Sequence, residues 1–268
     1  MGWNGDRATG PEVFGSGVFS LRVALVVRVD IGFVPMACIS WNCRGLGQSL
    51  TFQALWDLIS KHSPCIIFLM ETKQKNNKLE RMRRKLLFTN CFYIEPNGIA
   101  GGLALWWKDE ANVSILSTSK NVIDSKITLN EGTPWFCSFL YGSPYREERN
   151  EIWRKMKVLR SNMDEPWCIV GDFNIVLSQE EKFGGSPFAI DKASEFYDLQ
   201  DRCGLMEMPI KGGPFLWSNR RVDDEAILEK LDRIMFNVSW SSIFGNAIGC
   251  FEPAIGSDHC PVVLFLNS

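Results

Sequence analysis

Apolar residues along the chain occur in short runs separated by polar turns, and this pattern predicts most of the secondary structure. The run at residues 65–70 is wholly apolar, which predicts a strand buried on both faces. The succession of short runs from residue 92 to residue 141 indicates antiparallel sheet. Together the predicted strands cover residues 38–41, 65–70, 92–95, 103–107, 113–117, 123–129, 135–141, 167–170, 215–218, 248–252 and 262–266.

Four longer stretches have the spacing of amphipathic helices, at residues 49–62, 74–88, 147–163 and 192–203. In the first, Phe52, Leu55 and Ile59 fall on one face, and Pro64 lies just beyond the end. The second is strongly basic, and both a solvated helix face and a phosphate-binding surface fit its charge. Strands and helices in irregular alternation predict an α/β protein.

Charge and cysteine content narrow the class of protein. The net charge of -2 provides no overall attraction to a polyanion, so nucleic-acid binding requires a local basic surface or a metal. None of the nine cysteines lies in a Cys-x-x-Cys pair. This composition argues against a zinc site or a disulfide framework and favours a reducing compartment.

The first 35 residues differ from the rest of the chain. Their apolar stretch at 13–34 is interrupted by Arg22, Arg28 and Asp30, and it lacks the layout of a secretory signal. We expect residues 1–35 to be a poorly ordered N-terminal extension and residues 36–268 to form one domain. We also expect a protein that is neither secreted nor inserted in a membrane. The sequence leaves a nuclear or a cytoplasmic location open.

Polar side chains suited to metal binding or proton transfer lie at the ends of several predicted strands. Strand ends often converge in space although they are distant in sequence. Carboxylate and amide oxygens suit a hard cation such as Mg²⁺ or Mn²⁺, and with an imidazole they suit phosphoryl chemistry. A plain surface turn at residues 257–259 stays open as an alternative. The residues concerned are Asn42, Glu71, Asp172, Asn174, Asp258 and His259.

Six short motifs, four of which contain these polar residues, resemble a known family. In chain order they read SWNCRGL at 40–46, LMET at 69–72, YGSP at 141–144, GDFN at 171–174, LDR at 231–233 and SDH at 257–259. Each motif alone is weak evidence, whereas six in order are specific. The chain resembles the exonuclease–endonuclease–phosphatase superfamily over about residues 36–267. The sequences of its motifs are most similar to those of the endonuclease domain of plant-type LINE (non-LTR) retrotransposons.

The resemblance implies a fold and a set of residue roles. The fold would be a four-layer α/β/β/α sandwich (DNase-I-like), with two packed, mixed and mostly antiparallel sheets flanked by helices. Metal ligands would be Asn42, Glu71 and Asp258, holding Mg²⁺, with Mn²⁺ as a substitute. The resemblance further implies that Asp172 acts on the attacking water and that Asn174 donates to a phosphate oxygen. His259 would contact the scissile phosphate, and Asp232 would orient His259. Tyr141 would stabilise the phosphate or the leaving oxygen.

Other positions bear on DNA binding and on the branch of the family. The resemblance implies DNA contacts from Trp217 and from the polar loop after it, where Arg220 and Arg221 are the candidates; a solvated turn fits that loop equally well. Tyr141 stands where pancreatic-type deoxyribonucleases use a second histidine. Two departures from the family pattern are Arg44, where many relatives have an acidic residue, and Leu216, where many have threonine.

The resemblance therefore implies an Mg²⁺-dependent DNA endonuclease that leaves 3′-hydroxyl and 5′-phosphate ends. Its partner would be DNA, with no membrane and no obligate protein partner. Two alternatives stay open. One is a phosphomonoesterase or inositol-phosphate phosphatase of the same superfamily. The other is a catalytically weak or inactive retroelement remnant that acts as a binding module, which the two departures favour.

Overall fold

The computed structural model describes residues 36–98, 100–160 and 164–267. The predicted extension at residues 1–35 and the last three residues of the predicted helix at 147–163 lie outside this part of the chain. The helices are α1 (Ser49–His62), α2 (Asn76–Lys85), α3 (Arg146–Arg160), α4 (Ser194–Arg202) and α5 (Val238–Ile243).

The strands of the described residues form two large sheets and one small one. In chain order they are β1 (Met36–Asn42), β2 (Ile66–Met70), β3 (Asn90–Ile94), β4 (Leu103–Trp107), β5 (Ala111–Thr118), β6 (Val122–Leu129), β7 (Trp135–Tyr141), β8 (Trp167–Asp172), β9 (Lys182–Phe183), β10 (Met206–Glu207), β11 (Ile210–Lys211), β12 (Trp217–Ser218), β13 (Leu228–Glu229), β14 (Asp232–Phe236), β15 (Ile248–Phe251) and β16 (Val262–Leu266).

Both large sheets are mixed and mostly antiparallel. The seven-stranded sheet has the order β11-β15-β16-β1-β2-β4-β3, and the six-stranded sheet has the order β10-β14-β8-β7-β6-β5. Each contains one parallel pair of central strands, β1 with β2 and β7 with β8. Parallel neighbours end at the same edge of a sheet, so these two pairs bring four strand ends to the positions where the polar motifs follow.

Apolar side chains fill three interfaces between four layers. The two large sheets pack face to face, with the rings of Phe68 and Phe139 5.3 Å apart. Helices α1 and α2 cover the outer face of the seven-stranded sheet around Trp106, and α3 and α4 cover that of the six-stranded sheet around Trp153. Each fully buried large apolar side chain contributes roughly 1.5–3 kcal/mol relative to exposure. The predicted four-layer α/β/β/α sandwich is confirmed.

The sequence pattern located the long elements well and missed several short ones. The predicted helix at 49–62 and the predicted strands at 103–107, 135–141 and 262–266 have the observed bounds. No strand was predicted at β14 and no helix at α5. In β14 the charged residue Arg233 interrupts the apolar run, yet it is fully buried because Glu181 and Glu207 neutralise its guanidinium. The predicted helix at 74–88 is shorter, ending at Lys85.

Within the described part of the chain, no helix has both the length and the apolar character needed to cross a bilayer.

Candidate active site

Strand register places the candidate residues at one edge of the sandwich. Asn42 is the last residue of β1 and pairs with Met70 at the end of β2, so Glu71 comes next to it. In the other sheet, Tyr141 of β7 and Asp232 of β14 both lie opposite Asp172 of β8. The residues therefore come from both sheets, and side-chain contacts across the gap join them.

Asn42 connects the two sheets. Its Nδ2 donates to Glu71 Oε1 at 3.1 Å and to Asp172 Oδ2 at 2.9 Å, and the side chain is completely buried. Only glycine fits at position 171, directly before Asp172. The φ of Gly171 is +152°, and an added Cβ would lie 1.8 Å from Leu140 O. The close approach of β8 to β7 at this glycine sets the position of Asp172.

Asp172 is held by three further contacts. It accepts hydrogen bonds from the Asn174 backbone N–H at 2.8 Å and from Asn174 Nδ2 at 3.1 Å, and its Oδ2 lies 3.8 Å from His259 Nε2. Burial raises the pKa of Asp172; the charge of His259 opposes that effect and Asp232 adds to it, giving about 7. The carboxyl group thus changes its protonation state near neutral pH.

His259 is paired with Asp232 inside the protein. Its Nδ1 lies 2.8 Å from Asp232 Oδ2, and its backbone carbonyl accepts from Trp41 Nε1 at 3.1 Å. Burial lowers the pKa of the ring, but the charges of Asp232 and Asp172 outweigh burial and raise the pKa to about 9. His259 is therefore an imidazolium at neutral pH, with Nε2 facing Asp172.

Glu71 lies on the more open side of the site. Its Oε1 accepts from Asn42 and from the Tyr141 hydroxyl at 3.1 Å, and its Oε2 lies 3.1 Å from Lys73 Nζ and 3.8 Å from Arg44 Nε. Burial alone raises the pKa of Glu71, but hydrogen bonds from Asn42 and Lys73 lower it overall. Burial and the charge of Glu71 raise the pKa of Tyr141, which stays protonated.

Asp258 does not contact Glu71 directly. Its Oδ2 accepts from Arg44 and, at 3.1 Å, from Trp217 Nε1. A backbone bridge between Trp217 and His259 fixes this arrangement, and Leu216 packs in the core between the sheets. Of the three predicted metal ligands, the structure brings Asn42 and Glu71 together and separates Asp258 from them by the Arg44 side chain.

An open cavity of about 670 Å³ adjoins the site, and its wall includes Arg44, Trp217, Arg221 and Asp258. Arg221 is exposed and forms a surface ion pair with Glu225 at 3.2 Å. Arg220 is also exposed but lies outside the cavity wall. The structure thus brings Trp217 and Arg221 to the site's entrance and leaves Arg220 away from it.

Three side chains that contribute to the site were not predicted from the sequence. Lys73 forms an ion pair with Glu71, Ser257 Oγ donates to the Asn42 carbonyl at 2.6 Å, and Arg44 was seen only as a departure from a pattern. The sequence did contain a signal for Lys73, namely its positive charge two residues after Glu71. The others depend on contacts more than two hundred residues apart in sequence.

Two groups of side chains at the site contain ligand atoms of the kinds that bind divalent cations. Among the described residues, Asp172, Asp232 and His259 have ligand atoms within 4.8 Å of one another. That group is a poor cation site because His259 carries a proton and already pairs with Asp232. The oxygens of Glu71 and Asn42 fit a hard cation in kind, and the Glu71 side chain is 15% exposed.

A search among curated proteins found no match to the chain. A family model described as "Endonuclease/Exonuclease/phosphatase family" matches residues 39–259.

Solved structures of low sequence identity share the fold. An AP endonuclease from Archaeoglobus fulgidus superposes with a TM-score of 0.66 at 15% identity, covering 87% of this chain and 100% of that chain. D. rerio TDP2, complexed with single strand DNA product, gives 0.61 at 14% identity over 87% and 100%. The endonuclease domain of TRAS1, a telomere-specific non-LTR retrotransposon, gives 0.59 at 13% identity over 87% and 99%.

Proposed function

The chain belongs to the Endonuclease/Exonuclease/phosphatase family, whose members are hydrolases acting on phosphodiester bonds, and we propose that it is an Mg²⁺-dependent DNA endonuclease of retrotransposon origin. The observation that carries the proposal is a buried row of contacts. Asn42 donates a hydrogen bond to Asp172, Asp172 Oδ2 lies 3.8 Å from His259 Nε2, and His259 is hydrogen-bonded to Asp232. This row holds a carboxyl group and an imidazolium next to each other, which suits attack of water on a phosphodiester.

Asp172 is proposed as the group that takes the proton from the attacking water. Its pKa of about 7 is well matched to proton transfer near neutral pH. Asn174 uses its Nδ2 on Gly142 O at 2.7 Å and on Asp172, so we propose that it positions Asp172 rather than donating to phosphate. Its backbone N–H fixes the other carboxylate oxygen.

His259 is proposed to donate from Nε2 to a non-bridging oxygen of the scissile phosphate. Asp232 holds Nδ1, which keeps Nε2–H directed into the site and the ring protonated. A charge-assisted hydrogen bond of this kind becomes stronger as negative charge grows on the phosphate in the transition state. Tyr141, protonated and bonded to Glu71, is proposed to donate to the phosphate or to the leaving oxygen.

Glu71 and Asn42 are the residues proposed to hold the divalent cation, with Asp258 joining them if Arg44 moves. When bound, the cation would neutralise charge on the phosphate oxygens. Trp217 and Arg221, at the entrance of the adjoining cavity, are proposed to contact the DNA. The similarity to the TRAS1 domain and to a DNA-bound structure supports a DNA substrate and a retrotransposon origin.

Plasmid nicking tests the proposal. Supercoiled DNA is incubated with Mg²⁺ and with wild type, Glu71→Gln or His259→Ala. We expect wild type to nick the plasmid, and each variant to lose at least about a hundredfold in rate. Arg202→Gln, on the exposed end of α4, is the matched control and keeps wild-type activity. Nicked ends extended directly by a DNA polymerase would establish 3′-hydroxyl products.

Arg44 between Glu71 and Asp258 favours a second candidate, a protein that binds DNA without cutting it. Equal plasmid conversion by wild type and both variants, combined with retained DNA binding, would support this candidate and contradict the first. Release of inorganic phosphate from small phosphomonoesters, with uncut plasmid, would instead indicate a phosphatase.

A further inference from the structure

Both carboxylate oxygens of Glu71 already have partners. Oε1 accepts two neutral hydrogen bonds, from Asn42 and Tyr141. Oε2 faces two cations, the Lys73 ammonium at 3.1 Å and the Arg44 guanidinium at 3.8 Å. A divalent cation that binds Glu71 must therefore enter a position where positive charge is already present.

Arg44 links Glu71 to Asp258. Its Nη1 pairs with Asp258 while its Nε faces Glu71, and its side chain is 47% exposed, against 15% and 11% for the two carboxylates. The guanidinium thus lies on the solvent side of both acids. The backbone of Arg44 is in the left-handed region with φ of 43°, and its N–H donates to Asn42 Oδ1 at 3.3 Å. That turn directs the side chain into the gap.

The formal charges at the site nearly cancel without any metal. Four carboxylates, of Glu71, Asp172, Asp232 and Asp258, face three cations, of Arg44, Lys73 and His259. Replacing Arg44 by a neutral residue adds one unit of negative charge in the space between Glu71 and Asp258. That added charge favours a hard divalent cation, whose preferred ligands are carboxylate oxygens.

We propose that Arg44 is a built-in competitor of the metal: its guanidinium occupies the place between Glu71 and Asp258 and sets a low affinity of the free protein for divalent cations. This inference rests on the proposed function, because it concerns the metal that the proposed reaction uses. Arg44 already pairs with Asp258 Oδ2, so a cation that used this oxygen as a ligand would have to displace the guanidinium. The residue therefore acts by position and charge, without touching the reacting atoms.

Isothermal titration calorimetry with Mn²⁺, in the absence of DNA, measures the effect directly. We expect Arg44→Gln to lower the Kd for Mn²⁺ about tenfold, as the loss of one positive charge roughly 5 Å from a divalent ion predicts in a half-exposed site. Arg44→Lys keeps the positive charge, so its Kd for Mn²⁺ should stay within about threefold of wild type. Arg202→Gln, an equal charge change far from these contacts, leaves the Kd unchanged.

A second neutral variant, Arg44→Met, guards against an effect special to glutamine, and far-UV circular dichroism confirms that each variant folds. Unchanged or weaker Mn²⁺ binding by both neutral variants overturns the inference. If wild type nicks DNA under the same conditions, the proposed function survives that result. If no variant binds Mn²⁺ and wild type does not cut, both proposals fail.

Discussion

The two halves of the candidate site differ in burial and in how their charges are neutralised. One half, around Asp172, Asp232 and His259, is almost completely buried, and its charges neutralise each other inside the protein. The other half, around Glu71 and Arg44, opens to solvent and is neutralised by long, flexible cations. The first half is fixed by sheet register, whereas the second depends on loops.

Backbone conformation shows the same contrast. Asp172, Asp232 and His259 lie on or beside paired strands, with regular hydrogen-bonding partners. On the open side, Arg44, Glu71 and Lys73 all have positive φ, which costs a non-glycine residue roughly 1 kcal/mol or more. The buried half is thus held in place by paired strands. In the open half, Glu71 and the two cations that face it lie in strained turns.

The largest expected effect lies in the buried half. Asp172→Asn removes the carboxylate that we propose accepts the proton of the attacking water. It also turns one accepting oxygen into an amide donor facing Asn42 and Asn174. We expect a loss of at least about a thousandfold in kcat for DNA nicking, and no recovery at saturating Mg²⁺.

The comparison variant for that prediction is Glu71→Gln, whose residual activity should increase as Mg²⁺ is raised. Measuring nicking rate against Mg²⁺ concentration for both variants separates the two halves. Equal recovery of Asp172→Asn at high Mg²⁺ would show that Asp172 serves the metal rather than the attacking water.

The sequence pattern placed residues of both halves at strand ends. Asp172 and His259 follow or precede strongly apolar strands, so the apolar pattern placed both residues at strand ends. The partnership of Asp232 with His259 came from the family resemblance, because β14 was not predicted. The charge of Arg233 hid that strand, and its neutralisation by Glu181 and Glu207 is visible only after folding.

In the open half, the pattern placed Glu71 at a strand end, but the position of Arg44 could not be predicted from it for a physical reason. Arg44 reaches Asp258 across 214 residues of sequence, through a left-handed turn that arginine seldom adopts. No periodicity encodes such a contact. The motif resemblance marked position 44 as a departure and predicted only a missing carboxylate there, whereas the structure shows a cation between two acids.

We expect Asp232→Asn to have an intermediate effect on the rate of DNA nicking, and the pH dependence of that rate measures it. In wild type, activity should rise as Asp172 loses its proton near pH 7 and fall as His259 loses its proton near pH 9. Removing the Asp232 charge lowers the pKa of His259, so the alkaline limb should move to lower pH, with a loss of about 10–100-fold in kcat. A pH profile of unchanged shape would mean that Asp232 is only structural.

The same charge pair affects stability. Because the pKa of His259 is raised above its ordinary value of 6.5 to about 9, its ion pair stabilises the folded state fully below pH 6.5, and this contribution is lost as pH rises through about 9. The free energy of unfolding, measured with urea between pH 6 and pH 10, should therefore fall more steeply for wild type than for Asp232→Asn.

The smallest effect is expected at the outer edge of the open half. Arg221 is exposed and its ion pair with Glu225 is a weak surface contact, so losing it should not alter folding. If Arg221 neutralises one DNA phosphate, Arg221→Gln should weaken DNA binding a few-fold and reduce the slope of log K against log salt by about 1. Fluorescence anisotropy of a labelled duplex at several salt concentrations measures both quantities, with Arg202→Gln as the control of equal charge. An identical slope for both variants would assign the loop at residues 219–224 to solvent and confine DNA contact to the residues that line the site itself.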